Sequence, residues 1–356
     1  MTDKAGMDGS EEFAERLVGV LNGGMLALLT SLGHRTGLFD AMAQLPPSTS
    51  LQIAETTGLD ERYVREWLGG MTTGGIVNHD PVKMTFELPP ERAAWVTRAA
   101  GPDNLALQAQ YVGLLAQVED QIVDCFHRGG GVPYAQFPRF QGLMAEDSST
   151  VHDATLIDVT LPLVPGLVDR LRRGIDVADV GCGSGHAINL MAEAFPASRF
   201  VGFDLTDTGL AAGTAESERK GLTNVHFEKR DAATLDGSKQ FDFVTTFDAV
   251  HDQARPDLVL KGIAESLRAG GAYLCVDIAA SSTLADNLDH PLAPFLYTIS
   301  CMHCMTVSLA DGGMGLGTMW GEQKARQMLV DAGFTSVELK RVDGDIMNNY
   351  YIATKA

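Results

Sequence analysis

Val177-Ala178-Asp179-Val180-Gly181-Cys182-Gly183-Ser184-Gly185 lies near the middle of a 356-residue chain. An apolar run, Ile175 to Val180, ends in glycines at alternate positions, and a helix is predicted from Ser184 onward. Strand, glycine turn and helix open a nucleotide-binding βαβ unit, because glycines let the backbone approach a ligand and a helix N-terminus favours anionic groups. Outward from this point, Phe200–Asp204 reads as a second strand and Leu210–Lys220 as a helix. Val225–Lys229, Phe241–Phe247 and Tyr273–Asp277 read as further strands, with a helix near Pro256 to Leu267. Strands alternating with helices predict parallel pairing through right-handed crossovers, a doubly wound α/β sheet.

Acidic residues at the predicted strand ends narrow the ligand. Asp204 follows Gly181 by 23 residues, a placement that suits a carboxylate accepting both ribose hydroxyls. Asp231, just after the third strand, is placed to meet a base amino group. A dinucleotide fingerprint wants Gly-x-Gly-x-x-Gly, but here the third glycine comes one residue early and His186 holds its place. Asp179, inside the strand, suits an ammonium group better than a pyrophosphate. The expected ligand is therefore the aminoacyl-nucleoside cation S-adenosylmethionine, its amino group facing Asp179 and its carboxylate facing the turn amides.

Length and charge bound the rest. The length predicts two or three domains. A hydrophobic content of 45% excludes a wholly disordered chain. The net charge of −19 argues against a general polyanion binder. Five cysteines in a chain this long are not a disulfide framework. Met1 to Glu12 lacks the basic and apolar regions of a secretory signal, and no uninterrupted apolar stretch reaches bilayer length. Leu17 to Leu32 reads as a buried helix, and a cytoplasmic protein without membrane contact is expected.

Before the α/β region the chain reads as helical. Residues 1–90 contain helix, turn, helix over Leu51–Glu55, Thr57–Asp60 and Arg62–Leu68, with Asp60 as N-cap. Gly74–Val77 and Met84–Leu88 read as two short strands, giving a winged-helix domain closed by Pro89-Pro90. This zone has six basic and twelve acidic residues, so a structural role is expected and nucleic-acid binding is not. The long apolar helix Phe13 to Leu32 suits packing against a partner. Residues 91–170 read as a helical linker and substrate lid, broken at Arg128-Gly129-Gly130-Gly131-Val132-Pro133-Tyr134. The remaining zone, 171–356, holds the ligand-binding sheet, with an insertion over 280–320 expected to form the acceptor site.

Residues 175–278 resemble the core of class I S-adenosylmethionine-dependent methyltransferases. The resemblance rests on Asp179 to Gly185, Phe203-Asp204-Leu205, Arg230-Asp231-Ala232, Phe241-Asp242-Phe243-Val244 and Leu267 to Leu274. Asp331-Ala332-Gly333-Phe334 and Tyr350-Tyr351-Ile352 resemble that family's last helix and final strand. The resemblance implies a seven-stranded Rossmann-like sheet with an antiparallel final hairpin. It implies cofactor contacts from Asp179, Gly181, Cys182, Gly183 and Gly185 in the first βα turn. It implies further contacts from Asp204 and Leu205, from Asp231 and Ala232, and from Phe247 and Asp248.

Phe247-Asp248-Ala249-Val250-His251-Asp252 follows the fourth strand at the ligand edge. A hydroxyl is a poor nucleophile until it loses its proton, and an imidazole near neutral pKa can accept it, so His251 is the candidate base. Winged-helix small-molecule O-methyltransferases carry His-Asp-Trp at the resembling place, and their histidine is the general base. Their winged helix packs a dimer interface, so dimerisation is what the resemblance implies for residues 1–90. Gln253 stands here in place of the tryptophan. Asp277 resembles a carboxylate that those enzymes hold near the histidine, and capping a turn is its alternative role. In the 280–320 insertion, His290 and Cys301-Met302-His303-Cys304 lack the second pair of a structural zinc site, so no metal is expected. Tyr134, Tyr297, Met302, Met305 and Trp320 are expected to wall an apolar acceptor pocket. The acceptor atom stays open between oxygen and sulfur, nitrogen or a metalloid. A cofactor-sensing winged-helix regulator is the alternative of another class.

Overall fold

The computed structural model describes residues 4–235 and 238–355. The chain divides into two compact units, Met1–Ala116 and Gln117–Ala356. The expected boundary at residue 90 therefore moves: the helices Leu105–Gln108 and Gln110–Leu115 belong to the first unit, and only the rest of the 91–170 zone to the second.

The first unit is a winged helix. Asp60 Oδ1 accepts from the amides of Arg62 (3.0 Å) and Tyr63 (3.3 Å), starting the helix Glu61–Thr73. Thr49 and Gln52 form a reciprocal capping box on the helix Ser50–Thr57. Phe39, Ile53, Val64, Trp67, Leu68 and Met71 form its core. The wing pairs β1 (Asn78–Asp80) with β2 (Thr85–Glu87) in antiparallel register. The first wing strand begins later than the expected Gly74–Val77. The amides of Ile76 and Val77 both return to the carbonyl of Met71, so that stretch finishes the preceding helix.

A second departure concerns the N-terminal helix, which runs Lys4–Thr36. It was expected to be buried, yet Val18, Leu21 and Met25 are 56, 65 and 64% exposed. Alternating apolar and small residues give a mean hydropathy of 1.4 over an 18-residue window within Gly9–Thr36, and Ala293–Ala310 reaches 1.2. Both helices are thus long and apolar enough to cross a membrane by length and composition. Reading only uninterrupted apolar runs misses this, because glycine and threonine interrupt a run without making a helix polar.

The second unit is built on a seven-stranded sheet. Its strands are β3 (Asp176–Val180), β4 (Arg199–Asp204), β5 (Val225–Lys229), β6 (Phe241–Phe247), β7 (Leu267–Ile278), β8 (Ser336–Lys340) and β9 (Asn348–Thr354). The order is β5-β4-β3-β6-β7-β9-β8, with β9 antiparallel to both neighbours and the rest parallel. This is the expected doubly wound sheet with an antiparallel final strand. Side chains alternate between two cores: Ala178, Val244, Tyr273 and Cys275 face one layer, and Val177, Phe243, Leu274 and Val276 face the other. Helices cover both faces, which is why the strands read as continuous apolar runs. The chain order reverses between β3 and β6, so their carboxyl ends flank the crevice where ligands bind in such sheets.

Candidate active site

The turn after β3 is shaped by its glycines. Gly183 and Gly185 have φ of +54° and +71°, which L side chains rarely adopt. A Cβ on Gly185 would lie 2.3 Å from the Phe227 ring, whereas one on Gly183 would meet nothing within 4 Å. Gly185 is thus a packing glycine, and Gly183 faces open space that a ligand can enter. The amides of Gly181 and Cys182 bond the carbonyl of Phe203 at 2.8 and 3.0 Å. The Gly183 amide donates to Asp204 Oδ2 at 2.8 Å, and the Gly185 amide to the Cys182 carbonyl at 2.8 Å. Three of these amides are therefore engaged by β4 and one within the turn, so they are not left open for a ligand carboxylate as expected.

Three carboxylates line this edge in different surroundings. Asp179 is 1% exposed and accepts from Thr245 Oγ1 at 2.8 Å. Burial pushes its carboxyl up to about 7, with the Thr245 hydroxyl holding it back. Asp204 Oδ1 accepts from the amide (2.8 Å) and hydroxyl (2.6 Å) of Thr206, which fixes the carboxylate at the end of β4. Asp231 caps the short helix Ala232–Thr234 through the Ala233 amide at 2.9 Å, next to buried Ala232. Leu205 is exposed at the mouth, and Cys182 is partly buried, its thiol pushed up by that burial. Beside Leu205 and Thr206 lies a cleft of about 390 Å³ that is also lined by Tyr134, Phe137 and Gln141.

A second cluster sits at the ends of β6 and β7. His251 Nδ1 lies 2.8 Å from Asp277 Oδ1, and both residues are buried. Asp277 Oδ1 also accepts from the Ile278 amide (2.8 Å) and from Trp320 Nε1 (3.0 Å). Burial alone would lower the His251 pKa, but the Asp277 carboxylate and the Cys304 sulfur beside it hold it well above the ordinary range. Asp248 takes a positive φ of 50°, and burial pushes its carboxyl up to about 7. Asp252 is pushed up to about 6 by the same cause. Ligand atoms of Asp248, His251 and Asp277 lie within 4.8 Å of one another, the spacing of a cation site. His251 Nδ1 and Asp277 Oδ1 are, however, taken up by each other.

Other expected residues fall in two places. Phe247 packs against the His152 ring at 4.7 Å. Tyr297, Met302 and Met305 are partly exposed on the helices Ala293–Ile299, Ser300–Cys304 and Met305–Ala310. Trp320, expected in the acceptor wall, is instead a core residue whose indole N–H positions Asp277. Tyr134 belongs to an aromatic group with Phe137, Phe140 and His303. His303 and Phe140 were not expected there. Their sequence neighbourhoods carry no shared spacing, and the contact spans more than 160 positions. His186, in the place of the dinucleotide glycine, bridges Glu216 (Nδ1, 2.8 Å) and Asp153 (Nε2, 2.9 Å).

A seven-stranded, mostly parallel sheet with one antiparallel strand, set behind a winged helix, is the fold of a methyltransferase. Comparison with known proteins agrees. Residues 171–333 match the methyltransferase domain model, and residues 24–98 match the Rv2258c-like winged HTH domain. The chain therefore carries a methyltransferase domain behind a winged helix. It is 29% identical over 182 residues to erythromycin 3''-O-methyltransferase of Saccharopolyspora erythraea, covering 50% of this chain and 56% of that protein. It is 34% identical over 86 residues to nocamycin O-methyltransferase of Saccharothrix syringae, covering 23% of this chain and 31% of that protein. The matches thus span little more than half of these relatives at most. Among solved structures, mitomycin 7-O-methyltransferase MmcR superposes with a TM-score of 0.74 at 16% identity, covering 98% of this chain and 99% of that one. Human N-acetylserotonin methyltransferase gives 0.71 at 16% identity, covering 96% and 97%. At such identity the likeness is one of fold.

Proposed function

We propose that the chain is an S-adenosylmethionine-dependent methyltransferase that acts on a hydroxyl oxygen of a small, fairly apolar molecule. The observation that carries this reading is the pairing of the Asp179–Asp204 turn with the His251–Asp277 couple at adjoining strand ends. The open face of Gly183 fits a bound nucleoside, and Asp204 would hold its ribose while Asp179 met its ammonium. Gly181, Cys182, Leu205, Asp231, Ala232, Phe247 and Asp248 would complete the cofactor site. Bound there, the cofactor supplies an electrophilic methyl group on a sulfonium. His251 is the group that ultimately holds the acceptor's proton, and Asp277 orients its ring and stabilises its charge. The two O-methyltransferase relatives support oxygen over sulfur, nitrogen or a metalloid.

The same reading gives the winged helix a dimerising role, with the exposed face of Lys4–Thr36 covered by a second copy. It does not favour a DNA reader, because Arg62 and Arg65 on the exposed second helix pair with Glu66 and Glu61. A cytoplasmic location fits this role.

Calorimetric titration with S-adenosylhomocysteine tests the cofactor. Micromolar binding that weakens at least 10-fold in Asp204→Ala is expected, given about 1.5–3 kcal/mol for hydrogen bonds to a charged group. Absence of binding at millimolar ligand would sink the reading. His251→Ala should keep cofactor affinity and lose about 100-fold or more in turnover.

A further inference from the structure

Two carboxylate oxygens beside His251 have nothing to bond. Asp277 is 0% exposed, and its Oδ1 meets three groups: His251 Nδ1 (2.8 Å), the Ile278 amide (2.8 Å) and Trp320 Nε1 (3.0 Å). These contacts fix the carboxylate, and its Oδ2 is left buried with no partner. Asp248 Oδ1 is likewise buried with no partner. The Asp248 amide extends the pairing of β6 with β7 by donating to the Val276 carbonyl at 2.9 Å, which brings the residue beside the end of β7. Ligand atoms of Asp248, His251 and Asp277 all lie within 4.8 Å of one another. Among the described residues no lysine or arginine pairs with either carboxylate. Even a charged imidazole would balance only one of the two. Buried charges are paired or coordinate a metal, so the second carboxylate calls for a cation.

We propose that Asp248 Oδ1 and Asp277 Oδ2 bind a divalent cation of the Mg²⁺ type between the ends of β6 and β7. His251 stands beside the ion and does not ligate it, because its Nδ1 is engaged by Asp277 Oδ1. The two aspartates have separate duties in this site. Asp277 is the fixed ligand, held by the backbone and by Trp320. Asp248 is only partly buried, so its side of the site is the one that opens. Its enclosed oxygen is Oδ1 alone, which leaves Oδ2 for the cofactor.

The donor set selects the ion. Both free donors are carboxylate oxygens, which suit a hard cation. Ca²⁺ gathers six to eight oxygens, whereas Mg²⁺ is commonly held by one or two carboxylates and keeps several waters. Zn²⁺ favours nitrogen and sulfur, but the nearby donors of that kind are engaged: His251 by Asp277, and Cys304 Sγ by His303 Nδ1 at 3.6 Å. The role of the ion rests on the methyltransferase reading. A position kept by water is where the acceptor's hydroxyl oxygen enters, and a hydroxyl on a dication is more acidic than a free one. The acceptor class is thereby narrowed to hydroxyls that can join a metal's coordination shell.

The test is titration of chelator-treated, full-length protein with Mn²⁺, followed by the electron paramagnetic resonance of the free ion, with no cofactor or acceptor present. One tightly held Mn²⁺ per chain is expected, displaced by Mg²⁺, and its affinity should fall about 10-fold or more in Asp248→Asn. In ¹⁵N NMR of histidine-labelled protein, the bound Mn²⁺ should broaden His251 more strongly than His226. Mg²⁺ should raise the melting temperature of the wild type and leave that of Asp248→Asn unchanged. Asp248→Ser guards against a folding defect peculiar to the asparagine variant. No binding at millimolar Mn²⁺ would overturn the site. So would binding that persists undiminished in both variants, which marks ions scattered over an acidic surface, or equal broadening of His251 and His226. If Mn²⁺ binds as expected but S-adenosylhomocysteine does not, the cation site stands and the methyltransferase reading falls. If the cofactor binds and Mn²⁺ does not, the reading stands and the cation site falls.

Discussion

Asp179 shows what a buried carboxyl costs its own fold. Its carboxyl is buried, and burial raises its pKa to about 7, against an ordinary value near 4. A carboxyl raised in the folded state holds its proton while the unfolded chain has already lost it. Stability from this residue is therefore complete only below the unfolded value near 4, declines as pH rises towards 7, and stays low above that. The difference of about 3 pH units sets a ceiling of about 4 kcal/mol on the penalty at pH 8. Asp179→Asn should thus raise the melting temperature of the ligand-free protein at pH 8, with little change at pH 4.5, while cofactor affinity falls in calorimetry. A lower melting temperature at pH 8 would mean that Thr245 already compensates the buried charge. Asp248 and Asp252, pushed to about 7 and 6, act in the same direction.

At the scale of elements, the βα turn separates two uses of glycine. Gly185→Ala meets both a positive φ and the Phe227 ring, so thermal unfolding should reveal a loss of about 2 kcal/mol or more. Gly183→Ala meets only the unfavourable φ, about 1 kcal/mol, so it should fold well yet bind S-adenosylhomocysteine weakly. Comparable affinity in the two variants would remove the ligand role of the Gly183 face. This turn was legible in the sequence because its chemistry is local: strand, glycines and Asp204 lie within one βαβ half. Asp277 near His251 was legible only through the family resemblance, with a turn cap as its alternative role, and the structure brings the two together at 2.8 Å. Elements that meet across the insertion were not. Trp320 carries no sign in its own neighbourhood that its N–H reaches Asp277, and nothing in Phe137 to Phe140 announces His303. The wing strand was placed early because Ile76 and Val77 have strand-forming side chains, while the Met71 carbonyl claims their amides.

For the whole molecule, hydropathy told that Lys4–Thr36 is apolar but not what covers it. A buried helix and a helix that awaits another copy have the same composition. Burial of Leu21 and Met25 against a second copy predicts a dimer by light scattering, and Leu21→Glu with Met25→Glu should give a monomer. A wild-type monomer at micromolar concentration would remove the dimer. The net charge of −19 adds a condition, since two such chains repel and salt should tighten their association.

His186 joins Glu216 on one helix to Asp153 on another, and that second helix, Phe140–Thr155, begins with the ring stacked on His303. The clamp ties the helix that follows the glycine turn to the helix that begins at Phe140, so the proposed cofactor and acceptor sites share one conformational freedom. Whichever ligand arrives first restricts that freedom, and the second then loses less entropy on binding. The consequence is kinetic order: an acceptor should bind more tightly once S-adenosylhomocysteine is in place, and His186→Phe should make the two affinities independent.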